Sequence, residues 1–108
     1  MQRGDLVTVA VQGDYGKPRP ALVIQSDAFS THSSVTILPI TSSIVDAPLL
    51  RVTLEPQATH GLKRRSQVMV DKILTTKKEK LGPPFGKIDQ NRLIEIERCL
   101  AIFLGIAK

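Results

Sequence analysis

Apolar residues alternate in short runs through most of this chain and switch to helical spacing only near its end. Alternation sends successive side chains to opposite faces of a strand, whereas recurrence every third or fourth residue draws one stripe down a helix. In residues 5–11, DLVTVAV, Val7, Val9 and Val11 share one face, and Leu6, Thr8 and Ala10 the other. Ala21 to Gln25 is apolar on both faces, as a central strand should be. Val35 to Ile40 reads as a third strand and runs into the hydroxyls of Thr41, Ser42 and Ser43. Leu50, Val52 and Leu54 then alternate with Arg51, Thr53 and Glu55. SQVMVDKILTT reads as one further strand, with Val68 and Val70 facing one way and Met69 and Asp71 the other. The period changes at Asp89, an N-cap with Ile88 and Leu93 at staple spacing. Leu93, Ile96, Leu100, Phe103 and Leu104 form one helical face, and Gly105 is a natural stop. The expected fold class is mainly β with a C-terminal helix, a small curved antiparallel sheet or barrel that the helix closes.

One local feature asks for a reason. In GKPRPALVIQSD, Arg19 stands between two prolines directly before the apolar run Ala21 to Ile24. Pro18 fixes its own φ, and Pro20 keeps Arg19 out of the α region. Arg19 is therefore held extended at the mouth of a strand. A plain structural reading is an edge protected by proline and charge. The other is an arginine aimed at an anion.

With 108 residues, the chain is expected to be one domain over 1–108. Fifteen Lys and Arg against ten Asp and Glu give a formal charge of +5, suited to a polyanion. The single cysteine, Cys99, has no partner within the chain for a disulfide and fits a reducing cytoplasm. No apolar run reaches the ~18–20 residues of a membrane span. Arg3-Gly4-Asp5 spells an integrin-type tripeptide, read here as coincidence. His32 and His60 lie apart in polar loops, so neither a metal nor another cofactor is expected. No P-loop, dinucleotide fingerprint or G-x-S-x-G elbow occurs. Aromatics make up 4% of the chain, too few for the stacking platforms of common single-strand binders.

RGDLVTVAV, a glycine-containing loop, KPRPALVIQSD, LPIT, VDKILTTKKEKLG and a terminal helix ending FLGI follow one another in order. Together these segments resemble the MazF/PemK toxins of type II toxin–antitoxin modules, over nearly the whole chain. The resemblance implies an SH3-like small barrel that dimerises and cleaves single-stranded mRNA at short sequences without a metal. It implies a catalytic pair, the arginine of RPALVIQ and the threonine closing the next apolar strand, which are Arg19 and Thr41 here. Asp71 falls where some members place a third contributor. Leu74 stands where relatives often have arginine, so contacts through that arginine do not carry over.

Chemistry makes so sparse a site reasonable. RNA brings its own nucleophile, the 2′-hydroxyl, and the enzyme must align it and stabilise charge on the phosphoryl oxygens. A guanidinium offers a planar fork of two charge-assisted hydrogen bonds, and the hydroxyl of Thr41 or Ser42 can donate another. Arginine keeps its proton below about pH 12, so the general base stays unassigned. Asp71 either orients Arg19, accepts the proton, or simply pairs with Lys72 or another neighbour. Candidate RNA contacts are Tyr15 and Lys17 beside Arg19, Ser42, the cluster Lys63, Arg64 and Arg65, and Lys72 and Thr75. Lys77, Lys78 and Lys80 form a second basic run, for which a solvated face is the commoner meaning. The expected partners are a second copy of the chain, single-stranded RNA, and a cognate antitoxin with an acidic, disordered C-terminal segment. Two other readings compete: a DNA-gyrase poison of the CcdB type, and a non-catalytic SH3-like module. The first is associated with a tryptophan near the C-terminus, and this chain has no tryptophan.

Overall fold

The computed structural model describes residues 1–10, 17–57 and 60–107. The alternating segments become β1 (Asp5–Ala10), β2 (Pro18–Val23), β3 (Ser34–Thr41), β4 (Arg51–Leu54), β5 (Ser66–Met69), β6 (Leu74–Lys77) and β7 (Gly86–Lys87), and α1 (Gln90–Phe103) follows. The sheet runs β4-β5-β3-β2-β1-β7, with β6 pairing β3 off that path. β3 changes partner along one edge. Ser34 to Ile37 pair with β6, and Ile40 and Thr41 pair with β5. Sharing that edge between two strands curls the sheet into a half-barrel, as the sequence pattern predicts.

Register explains why both faces of the sheet are apolar. Leu6, Leu22 and Leu38 line up across β1, β2 and β3, and all three are fully buried. They join Val52, Val68, Val70, Leu93, Ile96 and Cys99 in the core that α1 covers. The alternate residues Val7, Val9, Ala21, Val23, Val35 and Ile37 form a second cluster, with Leu74 and Leu81 packed against it. Each fully buried aliphatic side chain contributes about 1.5–3 kcal/mol of transfer free energy, so both clusters matter to stability.

α1 begins as its sequence predicts. The Asp89 carboxylate accepts the Arg92 N–H at 3.1 Å, and Ile88 and Leu93 are both buried at the staple positions. Leu93, Ile96 and Cys99 face the core, and an Arg3–Glu97 ion pair of 2.6 Å ties the helix to the start of the chain. Phe103 and Leu104 differ from the sequence expectation: they are exposed in the single chain, beyond the turn that Cys99 anchors. The Arg3-Gly4-Asp5 tripeptide is structural. Gly4 adopts φ 92° and donates to Val23 O, while Asp5 is buried and accepts the Gln2 N–H at 2.7 Å.

A second difference lies in residues 66–76. The single strand expected there is broken between β5 and β6 by a 3-10 turn, Val70–Lys72. Val70 stays fully buried and donates its N–H to Leu50 O at 2.9 Å, while Asp71 is drawn to Arg51 on β4. The turn follows from satisfying both residues at once.

Candidate active site

Hydrogen-bond parity explains the two prolines. The Ile24 N–H donates to Thr36 O on β3, so by the two-residue period of a strand the backbone nitrogens of Leu22, Pro20 and Pro18 also face β3. The β2–β3 ladder ends at Ala21↔Pro39, whereas β1 pairs with β2 as far as Pro18. The missing N–H groups at Pro18 and Pro20 therefore fall where no ladder bond is needed, and they leave that edge open. Pro39 obeys the same logic on β3. Its nitrogen faces the other edge, between the end of the β6 pairing at Ile37 and the start of the β5 pairing at Ile40.

A cleft of about 620 Å³ opens at this point. Arg19 reaches it from β2, Thr41 and Ser42 from the end of β3, and Lys63 and Arg64 from the segment before β5. Continuing the β2–β3 register two residues past Ala21↔Pro39 sets Arg19 opposite Thr41. The Thr41 Oγ1 accepts the Ser43 N–H at 3.1 Å, which leaves its own proton to be donated. The floor is apolar, formed by Pro20, Pro39, Leu62, Met69 and Leu74 among others, and no carboxylate lines it among the described residues. The cleft thus concentrates positive charge and hydroxyl donors over an apolar base. That combination suits a phosphodiester with its nucleobase.

The remaining sequence-predicted residues divide by location. Lys17 is exposed immediately before β2, and Tyr15 lies outside the described residues. Asp71 does not line the cleft; it pairs with Arg51, and Lys72 approaches its other oxygen at 3.9 Å. Arg65 turns to Glu55 at 2.8 Å and lines a different, polar cleft with Arg51 and His60. Thr75 hydrogen-bonds Thr36 across β3 and β6 at 2.7 Å, and Lys78 donates to Ser30 O at 2.6 Å. Sequence reasoning missed Leu62, Ser66 and Met69 as lining residues, since only the fold brings them beside Arg19. Cys99 plays no part in the cleft. Burial, and then the nearby Glu95 charge, push its thiol up from the ordinary 9.0.

Comparison with known proteins decides the family. The family described as PemK-like, MazF-like toxin of type II toxin–antitoxin systems matches residues 2–104. The chain belongs to the PemK/MazF toxin family. A Mycolicibacterium smegmatis protein named probable endoribonuclease MazF is 44% identical over 108 residues, covering 99% of each chain. Endoribonuclease MazF of Staphylococcus epidermidis is 27% identical, over 98% of this chain and 92% of its own. Among solved structures, Mycobacterium tuberculosis toxin MazF-mt6 has the same fold with a TM-score of 0.82 at 19% identity, covering 96% of this chain and 99% of that one. A mycobacterial endoribonuclease in complex with its cognate antitoxin gives a TM-score of 0.84 at 22% identity, over 100% and 98%. The MazF-like fold and the Arg19–Thr41 cleft thus occur together in one chain.

Proposed function

We propose that residues 1–108 form a single toxin domain, an endoribonuclease that cleaves single-stranded mRNA without a metal. In this reading the RNA 2′-hydroxyl attacks the adjacent phosphorus, the 5′-oxygen leaves, and a 2′,3′-cyclic phosphate remains. Arg19 binds the non-bridging oxygens through its planar fork and stabilises the charge that builds on them. Thr41 donates one more hydrogen bond from the facing strand, with Ser42 beside it. Lys63 and Arg64 hold the flanking phosphates, a role that positions the strand and carries no sequence information itself. The observation that carries the reading is the convergence of Arg19 and Thr41 on one carboxylate-free cleft in a chain of this family. Relatives named endoribonuclease support the reaction class.

Asp71 supports this site from outside by holding the turn after β5 to Arg51. The toxin acts in the cytoplasm as a homodimer, whose interface includes the exposed end of α1, with Ile102, Phe103 and Leu104. A cognate antitoxin neutralises it with an acidic segment. No helix among the described residues is long and apolar enough to cross a membrane. The deciding experiment incubates purified protein with a long RNA in EDTA and maps the cut ends. Cyclic phosphate termini, and loss of cutting when the 2′-hydroxyl at the site is replaced by hydrogen, are expected. Equal cutting of the matching DNA overturns the mechanism, and sedimentation as monomer alone at micromolar concentration overturns the dimer.

A further inference from the structure

The basic wall of the cleft hangs from one buried ring. Lys63 and Arg64 belong to the connection between β4 and β5, and His60, in the same connection, is only 1% exposed. Its Nε2 lies 2.7 Å from Glu55 O, and its Nδ1 accepts the Leu62 N–H at 3.3 Å. A carbonyl only accepts, so the ring is the tautomer that carries its proton on Nε2. His60 therefore bridges the start of the connection to the residue just before Lys63. Leu62 is itself buried in the core and lines the cleft, so the ring sets where the wall leaves the core.

β7 closes the other side of this arch. A Cβ on Gly86 would lie 2.2 Å from His60 O and 2.7 Å from its Cα, so only glycine lets that strand press on the His60 backbone. Gly61 adopts φ +71°, a conformation costly for other residues, and sits against Phe85. The far end is fastened too, since Ser66 Oγ donates to Arg64 O at 2.9 Å. Without the ring's two bonds, the buried Glu55 carbonyl and Leu62 amide would seek water, and the stretch bearing Lys63 and Arg64 would lose its fixed exit.

We infer that His60 is a positioning residue for RNA binding, acting through Lys63 and Arg64 and not on the reacting phosphate. The inference rests on the function proposed above. It predicts a division of labour within one cleft: Arg19 and Thr41 set the rate of the chemical step, while His60 sets how tightly the strand is held. Neither role requires His60 to touch RNA.

Two substitutions separate the ring's two bonds. His60→Gln keeps a donor near Glu55 O but removes the acceptor for Leu62, and His60→Asn does the reverse. Binding of an RNA with 2′-deoxy substitution at the cut site is measured at several salt concentrations, alongside single-turnover cleavage of the unmodified RNA at saturation. For H60Q we expect about tenfold weaker binding and a salt slope shallower by about 1, since each lost single-strand phosphate contact removes roughly 0.7. The saturating cleavage rate should stay within about twofold, and H60N should fall between H60Q and the native protein. In a Lys63→Ala, Arg64→Ala background, H60Q should add little further loss. An unchanged salt slope, or a loss confined to the saturating rate, overturns the inference.

Trypsin tests the arch without RNA. Under native conditions H60Q should be cut faster at Lys63 to Arg65, with the helical circular dichroism retained, and an unchanged pattern overturns the inference. A native protein that neither binds nor cuts RNA overturns the proposed function instead, which keeps the two failures apart.

Discussion

Arg51 on β4 grips Asp71, twenty residues further along the chain, and both side chains are mostly buried. The pair turns Asp71 away from a role as Arg19's immediate partner and makes it the fastening of the 3-10 turn between β5 and β6. The Arg51 Nε is buried without a hydrogen-bond partner, so the guanidinium depends on this carboxylate. Asp71→Asn should then lower stability by about 2 kcal/mol, the range for a hydrogen bond to a charged group. RNA cleavage at a temperature well below the melting transition should change by less than about threefold. Chemical denaturation and a single-turnover assay on the same sample check both halves. A hundredfold loss of rate with stability intact would return Asp71 to the chemistry.

Arg19→Lys keeps the charge but loses the planar fork. A compact ammonium reaches one phosphoryl oxygen well and a second poorly. At least a hundredfold loss of the single-turnover rate is expected, about 2.7 kcal/mol of transition-state stabilisation, with an unchanged melting temperature. Near-native activity would reduce Arg19 to an edge charge guarded by its prolines.

Thr41 is tested by a pair of changes. Thr41→Ser keeps both the acceptor for the Ser43 N–H and the free proton, and should retain activity within a few-fold. Thr41→Ala loses both and should fall about tenfold, ~1.4 kcal/mol. Ser42 lines the same cleft and limits that loss, so the Thr41→Ala, Ser42→Ala double variant should fall by roughly a further tenfold. Equal rates for the single and double variants would rule out Ser42 as a substitute donor.

The residues that could be read from sequence are those whose effect is local. Pro18 and Pro20 restrict the backbone they belong to, so an extended Arg19 was legible before any pairing was known. Asp89 with Ile88 and Leu93 announced the start of α1 for the same reason. The break at Val70–Lys72 was not legible, because Val70 continues the alternation and the partner that bends the chain, Arg51, is remote. His60 was hidden differently. Its ring bonds backbone groups of a turn-rich basic stretch, and a polar residue there reads as exposed although it is almost wholly buried. Phe103 and Leu104 continue the helical stripe in sequence, but the sheet beneath them has ended.

Inhibition by an acidic segment follows from the charge of the cleft. A chain of net charge +5 presents Arg19, Lys63 and Arg64 in a concavity with no lining carboxylate among the described residues. An acidic, disordered peptide should be drawn there and order itself over the apolar floor around Leu62, Met69 and Leu74, at the entropic expense of folding on binding. RNA needs the same cations. The two ligands should therefore exclude one another, and both should bind more weakly as salt rises. Titrating the antitoxin segment into a complex with a fluorescent, uncleavable RNA should release the RNA stoichiometrically. Arg64→Ala should weaken both ligands together, because each loses the same contact. A stable ternary complex with peptide and RNA on one cleft would show that the segment binds elsewhere, and inhibition would then have to act through a change of shape instead of displacement.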